Sequence, residues 1–83
     1  MAFYVYMIKS TNGVSKKTYV GYTVDIESRL KKHNIGKGAK STRGYMWKLI
    51  YKKKFRNKSD AMSYEYYLKK DKKKRQTIID KFK

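Results

Sequence analysis

The segment FYVYMI, residues 3–8, carries aromatic and aliphatic side chains on both of its faces. A strand that is apolar on both faces is covered on both, which is typical of a central position in a sheet. The residues that follow, 9–17, are mostly polar and contain Asn12-Gly13, a favoured two-residue hairpin turn. The sequence therefore predicts a second strand over residues 18–22, antiparallel to the first.

A third strand is predicted over residues 47–55, where two kinds of side chain alternate. Every second position belongs to a mostly apolar set, which is Trp47, Leu49, Tyr51, Lys53 and Phe55. A period of two places this set on one face of a strand and leaves a wetter face opposite. Together the three strands predict a small antiparallel sheet.

A first helix is predicted between the second and third strands. Thr23 is its expected N-cap, because a hydroxyl can accept a hydrogen bond from the amides of the first turn. Ile26 and Leu30 are spaced for one apolar stripe, and Gly36 suits the left-handed position that ends a helix. Residues 36–44 then form a basic, glycine-rich loop.

Two further helices are predicted after the third strand. The earlier one starts with Ser59 as its cap. Its buried stripe is expected to be Ala61, Tyr64 and Leu68. The later one is shorter, over about residues 71–82, and its docking residues are expected to be Ile78, Ile79 and Phe82. The predicted fold class is α/β of the α+β kind: a three-stranded antiparallel sheet flanked by helices, with residues 1–83 as a single domain.

The composition points to a polyanionic partner. Twenty-three Lys and Arg residues against six Asp and Glu residues give a net charge of +17. Self-repulsion of that size destabilises a compact state, so nucleic acid is the first expected partner, anionic lipid the second, and a merely solvated surface the remaining alternative. The charges are scattered over strands and loops, which argues against a membrane-surface helix.

The absence of cysteine excludes a disulfide framework and a thiolate metal site. No run approaches the roughly 18 apolar residues of a membrane span, and the first residues lack the pattern of a signal peptide. We therefore expect a cytoplasmic protein that does not enter a membrane. The sequence does not indicate an oligomeric state.

Arg29 and His33 lie four residues apart in the first predicted helix, so their side chains share one face. A guanidinium there can hold a phosphate at two points, and an imidazole can move a proton or orient the attacking group. The alternative is an exposed arginine and a histidine that only stabilises the negative end of the helix.

Glu65 is an acid beside the apolar stripe of the second predicted helix. A carboxylate that faces inward needs a partner, and the candidates are Arg29, Lys69 or a divalent cation. The alternative is a surface ion pair between Glu65 and Lys69 at the i,i+4 spacing.

Tyr6 and Tyr19 are brought onto neighbouring strands by the predicted hairpin. A tyrosine has a pKa of about 10, so it acts as a base only where cations stabilise the phenolate. The alternative is that strands favour tyrosine, of which this chain has nine.

Two basic segments are expected to contact phosphates. The loop at 36–44 can offer backbone N–H groups together with Lys37, Lys40 and Arg43, although a plain connection after the helix is the alternative. Residues 69–75 contain six basic residues of seven, beginning with Lys69. Such a run is typical of a surface that follows a nucleic-acid backbone.

The order of these residues resembles the GIY-YIG nuclease family over about residues 3–74. It is most similar to the small stand-alone bacterial branch, which is related to the domain of structure-specific flap endonucleases. Tyr4-Val5-Tyr6 stands where the family has Gly-Ile-Tyr, and residues 19–21 match its second motif, Tyr-x-Gly. Arg29 corresponds to the helix arginine of the family, His33 to its His or Tyr position, and Glu65 to its metal-binding glutamate.

The resemblance implies an endonuclease that hydrolyses phosphodiester bonds in DNA, with RNA not excluded, and a role in DNA repair or recombination. It implies one divalent ion, Mg²⁺ or Mn²⁺, held by Glu65. Tyr6 or Tyr19 would help to deprotonate the attacking water. Arg29 would stabilise charge on the phosphate, and His33 would orient groups or relay protons.

Two positions depart from the family pattern. Tyr4 replaces the glycine of the first motif, which concerns packing more than chemistry. The late asparagine of the family has no counterpart, because every asparagine precedes Glu65, and Gln76 and Asp80 are the candidates to replace it. The alternative function is therefore a non-catalytic, basic nucleic-acid-binding module on the same fold.

Overall fold

The computed structural model describes residues 2–11, 17–38 and 40–82. Its elements, in chain order, are β1 (Phe3–Ser10), β2 (Thr18–Thr23), α1 (Ile26–Asn34), a 3₁₀ turn (Lys40–Thr42), β3 (Trp47–Phe55), α2 (Lys58–Lys70) and α3 (Lys72–Phe82). A three-stranded antiparallel sheet with three helices confirms the predicted fold class. The Asn12-Gly13 turn lies outside the described residues.

The central position of β1 is confirmed, since the strands lie in the order β2-β1-β3 and both pairings are antiparallel. Val5 and Met7 face one side of the sheet, Tyr6 and Ile8 face the other, and none of the four is more than 3% exposed. A strand that is apolar on both faces can be fully buried only between two neighbours and two covering layers.

A β-bulge interrupts β3 and corrects the predicted alternation. Met7 pairs with Tyr51, but the next residue of β1, Ile8, pairs with Leu49, so Ile50 is an additional residue in β3. An extra residue reverses the alternation of faces from that point onward. Trp47 and Leu49 therefore pack on the side of the sheet opposite to Tyr51 and Phe55.

The two sides of the sheet carry different layers. On one side α2 and α3 cover an apolar core, which consists of Val5, Met7, Val20, Ala61, Leu68 and Ile78 with Tyr64 and Ile79 packed against it. On the other side α1 covers Tyr6, Ile8 and Trp47, and the partly buried residues there include Tyr19, Ile26 and Leu30. The predicted apolar stripes of all three helices are thereby confirmed, apart from Phe82, which remains 40% exposed.

The predicted N-caps of two helices are wrong. Asp25 caps α1, because its carboxylate accepts from the backbone N–H three residues later at 3.1 Å, whereas Thr23 is buried at the end of β2. Asn57 caps α2 in the same way, accepting from the Asp60 amide at 2.8 Å, and Ser59 lies inside the first turn. Gly36 does adopt the left-handed conformation after α1, with φ of 80°. In the parts of the chain that the structure describes, no helix has both the length and the apolar character needed to cross a membrane.

Candidate active site

A cleft of about 410 Å³ gathers most of the candidate residues. Its walls come from four elements: Tyr6 from β1, Tyr19 and Gly21 from β2, Arg29 from α1, and Glu65 with Lys58 from α2. Four of the five residues expected to be catalytic thus line one cleft, although they are up to 59 positions apart in the chain. The fifth, His33, contacts the cleft through Tyr6.

His33 is the centre of a buried hydrogen-bonded chain. Its Nε2 lies 2.8 Å from the Tyr6 hydroxyl and its Nδ1 lies 2.9 Å from the Thr42 hydroxyl. His33 is 1% exposed, so it does more than stabilise the end of α1 from the surface. A neutral imidazole accepts at one nitrogen and donates at the other, which allows it to link two hydroxyl groups.

Burial sets the protonation states of Tyr6 and His33. It lowers the pKa of His33, and the nearby Arg29 guanidinium lowers it further. Burial raises the pKa of Tyr6, and the adjacent Tyr19 acts in the same direction, while Arg29 opposes them. Near neutral pH both side chains are therefore uncharged, and the Tyr6 hydroxyl can donate to His33 Nε2.

Two glycines leave the space that the aromatic rings fill. A Cβ at Gly21 would lie 2.6 Å from the Tyr6 hydroxyl oxygen and 3.1 Å from Tyr19 Cε2. A Cβ at Gly38 would overlap the His33 ring, with Cε1 at 3.0 Å. The Tyr19 and His33 ring centroids are 5.0 Å apart, so the rings pack in direct contact. The glycine of the Tyr19-Val20-Gly21 motif is explained by this close approach.

Thr42 is a site residue that the sequence interpretation missed. It is fully buried in the 3₁₀ turn, and its carbonyl accepts from Trp47 Nε1 at 2.9 Å. The Asn34 side chain holds the backbone of Trp47 in turn, with its amide donating to the carbonyl at 3.2 Å and its oxygen accepting from the N–H at 2.5 Å. Thr42 belongs to the loop that was expected to bind phosphates, and its hydroxyl holds the His33 ring through Nδ1. The only feature of the sequence that could have indicated this role is that Thr42 is a hydroxyl residue in that loop.

Glu65 both faces the cleft and pairs with a lysine. Its side chain is 18% exposed, and Oε2 lies 3.8 Å from Lys69 Nζ. The Lys69 ammonium also lies 5.9 Å from the centroid of the Tyr19 ring. Within residues 2–11, 17–38 and 40–82 there is no group of three or more His, Asp or Glu that could hold a metal. One accessible carboxylate does suit Mg²⁺, which takes its other ligands from water and phosphate.

The remaining basic candidates lie outside the cleft. Lys37, Lys40 and Arg43 are exposed around the 3₁₀ turn.

The candidates for the role of the family's late asparagine are Gln76 and Asp80. They hydrogen-bond to each other at 3.0 Å on an exposed part of α3. Neither of them is among the described residues that line the cleft.

The fold and this cleft agree with one protein family. The family description that matches is the GIY-YIG catalytic domain, over residues 2–78, and the chain belongs to this GIY-YIG family. Membership points to nuclease activity at the level of the family.

Relatives that resemble the chain include proteins named UPF0213. One from Oceanobacillus iheyensis is 46% identical over 67 residues, which are 80% of this chain and 74% of the relative. Another from Clostridium perfringens is 47% identical over 68 residues, covering 81% and 70%. These names state no activity.

A solved structure is similar over almost the whole chain. The solution NMR structure of the UPF0213 protein from Bacillus halodurans is 38% identical and covers 96% of this chain and 84% of that chain, with a TM-score of 0.55. The chain is therefore similar to small stand-alone GIY-YIG proteins in both sequence and fold.

Proposed function

We propose that the protein is a metal-dependent endonuclease that hydrolyses phosphodiester bonds in DNA. The observation that carries the proposal is the convergence of Tyr6, Tyr19, Arg29 and Glu65 on one cleft, in a chain with a net charge of +17. Core packing does not require a guanidinium and a carboxylate to share a cleft with two phenols. Phosphodiester hydrolysis does use such groups.

Arg29 and the neighbouring lysines bind the substrate. Arg29 is exposed at the cleft wall, where its guanidinium can hold two phosphate oxygens and stabilise the charge that develops on them. Lys58 and Lys69 lie on either side of Glu65 along α2, and both add positive charge near its carboxylate. Lys37, Lys40 and Arg43 extend the basic surface and contact backbone phosphates beyond the cleft.

Glu65 is the residue that would hold the divalent ion, Mg²⁺ or Mn²⁺. Its carboxylate is accessible from the cleft, and its lysine partner at 3.8 Å is itself 49% exposed and can turn away into solvent. When bound, such an ion supplies charge stabilisation at the phosphate and lowers the pKa of water.

Tyr6 and His33 accept the proton of the attacking water. Because the pKa of Tyr6 is raised, its phenolate is scarcely populated near neutral pH, and a relay through the neutral hydroxyl suits the geometry better. The water proton passes to the Tyr6 oxygen as the Tyr6 proton passes to His33 Nε2. The new P–O bond forms while the opposite P–O bond breaks, and the leaving oxygen takes a proton from solvent. Thr42 accepts from His33 Nδ1 and stabilises the imidazolium that results.

Tyr19 has a different role from Tyr6. It is only partly buried, it lines the cleft, and Lys69 lies over its ring. Its hydroxyl orients the water or a phosphate oxygen. The resemblance to flap endonuclease domains favours branched or flapped DNA that arises in repair or recombination, within the cytoplasm.

A cleavage panel tests this proposal. Single-stranded, nicked, flapped and branched DNA, with matching RNA, is incubated with Mg²⁺ or Mn²⁺ and with a chelator. We expect metal-dependent cleavage that falls by about 10²- to 10³-fold in Arg29→Ala and at least as far in Glu65→Ala. Glu65→Ala should retain binding. Glu27→Ala, which removes an exposed acid of α1 outside the cleft, is the matched control. Absence of cleavage on every substrate would contradict the proposal.

A non-catalytic nucleic-acid-binding module is the second candidate, favoured by the ion pair that Glu65 already makes with Lys69. It predicts salt-sensitive binding, with a slope of about 0.9 per phosphate contact on duplex DNA. In that case Glu65→Ala leaves binding unchanged or slightly tighter, and no substrate is cut.

A further inference from the structure

The outer face of α2 carries two exposed aromatic residues that do not line the cleft. The Tyr67 ring also contacts Tyr64, with 5.9 Å between the ring centroids. Tyr66 is 61% exposed and Tyr67 is 51% exposed. The outward face of a surface helix is normally polar, and burial in the core does not account for two adjacent rings that are each more than half exposed. Both tyrosines line a groove of about 460 Å³ where α2 meets α3. These two residues form a tyrosine platform together with the lysines that share the groove, Lys70, Lys72 and Lys73.

Charged neighbours hold the two rings in place. Lys70 Nζ lies 4.5 Å from the centroid of the Tyr66 ring. The Tyr67 hydroxyl donates to the Asp71 carboxylate, which also accepts from the Lys74 N–H at 3.0 Å. The one acid of the groove is thus engaged with its own neighbours. Three lysines remain to attract an anion.

An unpaired nucleic-acid strand matches this chemistry. Aromatic faces stack bases of any sequence while lysines neutralise the adjacent phosphates, as in other single-strand binding surfaces. A duplex keeps its bases stacked on each other and offers the platform only phosphates. An acidic peptide would use the lysines and leave the rings without a partner.

The platform lies next to the cleft on the same helix. Glu65 lines the cleft, and Tyr66 follows it at the 100° rotation of one helical step. Lys69 lies between them in space, since it pairs with Glu65 and sits over Tyr19, while the next residue, Lys70, covers Tyr66. The distance around α2 from the cleft to the tyrosine platform is roughly 10 Å, which is similar to the diameter of a helix. A strand of about three stacked nucleotides spans this distance.

We propose that Tyr66 and Tyr67 stack the bases of an unpaired DNA or RNA strand that continues from the cleft. The substrate class is then a nucleic acid with a single-stranded segment beside the bond that is cut. This deepens the proposed function and rests on it, but binding can be measured without cleavage.

Fluorescence anisotropy in a chelating buffer tests the platform. The probes are labelled single-stranded DNA and RNA of about 15 nucleotides and a blunt duplex of the same length. We expect Tyr66→Ala to weaken single-strand binding about tenfold while duplex binding stays within about twofold. Tyr66→Phe keeps the ring and retains binding, whereas Tyr66→Leu does not. The salt slope stays constant because no charge is removed.

Phe82→Ala is the matched control, because Phe82 is also an exposed ring with a lysine ammonium, Lys48 Nζ, 5.0 Å from its centroid, at the far end of α3. It leaves single-strand binding unchanged. Unaltered affinity in Tyr66→Ala, or an equal loss on duplex, overturns the proposal. So does equal competition by poly-glutamate, which would make the surface a general polyanion site. If single-strand binding depends on Tyr66 but no metal ion supports cleavage, only the proposed nuclease function is rejected.

Discussion

The two sides of the sheet are built from one central strand but in different ways. Under α2 and α3, Val5 and Met7 meet Ala61, Leu68 and other apolar side chains. Under α1, Tyr6 shares its side with His33 and Trp47, and these residues are joined through Thr42 by hydrogen bonds. Both sides have apolar contacts, and the side under α1 adds a buried series of hydrogen bonds that reaches the cleft.

The difference lies in what buried polar groups require of their surroundings. Apolar burial is tolerant of small shifts, whereas buried polar groups are costly unless every one is paired. Throughout the described residues, no buried side-chain nitrogen or oxygen lacks a hydrogen-bond partner. The hydrogen-bonded residues under α1 can therefore hold the Tyr6 hydroxyl at the cleft.

The largest effect is expected on the apolar side, with Leu68→Ala. Leu68 is fully buried, and its truncation should lower the free energy of unfolding by about 3 kcal/mol through lost burial and the cavity left behind. Urea titration measures the loss. Cleavage per folded molecule should stay within about twofold at low temperature, because Leu68 makes no part of the cleft.

Met62→Ala is the control for that experiment, since Met62 lies on the same helix and is 46% exposed. Its cost should stay below about 0.5 kcal/mol. Loss of activity in folded Leu68→Ala would show that the two sides are not independent.

An intermediate effect is expected at the junction of the two tyrosines, with Gly21→Ala. The added methyl would overlap the Tyr6 hydroxyl, so the ring must move, at a cost of about 2 kcal/mol of stability. Displacing the hydroxyl should also reduce cleavage about 10²-fold. Thermal unfolding and a single-turnover cleavage assay measure the two quantities.

Gly36→Ala separates backbone strain from crowding. Gly36 has φ of 80°, but a Cβ there meets no atom within 4 Å. Its replacement should cost about 1 kcal/mol and leave cleavage by the folded protein unchanged. If both variants lose activity equally, the close approach at Gly21 is not what positions Tyr6.

The smallest effect is a pH dependence that comes from His33, the only histidine of the chain. Burial, and then Arg29, lower its pKa in the folded state, so the unfolded state takes up a proton first as the pH falls. Stability is complete above the ordinary histidine pKa of about 6.5 and is lost as the pH falls from there toward the lowered value. The melting temperature between about pH 7.5 and about pH 5.5 should fall in the wild type and stay nearly level in His33→Gln. Parallel curves would mean that His33 is not held neutral.

Local patterns in the sequence were enough for the elements, for the central strand and for most of the buried stripes of the helices. The run at residues 3–8 predicted the central strand, and the spacing of Ala61, Tyr64 and Leu68 predicted the buried stripe of α2. The bulge at Ile50 was not predictable, because it is defined only by the pairing of β3 with a strand more than 40 residues away. The caps failed for a local reason: Asp25 and Asn57 compete with nearby hydroxyl residues that are equally good candidates.

The candidate site was predictable only in part. The family resemblance selected five residues, of which the fold brings four to one cleft and joins the fifth, His33, to Tyr6. Their catalytic roles remain proposals. Thr42 could not be found, because its contact with His33 depends on the path of a loop that composition alone does not define. The tyrosine platform was hidden for the opposite reason: a tyrosine in a helix is ordinary until its exposure is known.

The central position of β1 also constrains the order in which the chain can fold. β1 can pair with β2 as a local hairpin, but its other edge waits for β3, which begins at residue 47. During synthesis an apolar strand with one open edge is therefore present until that segment emerges, and such an edge readily pairs with another chain. The lysines at 52–54 give the last strand to arrive a charge that keeps it in solution and discourages further strands from joining the finished sheet.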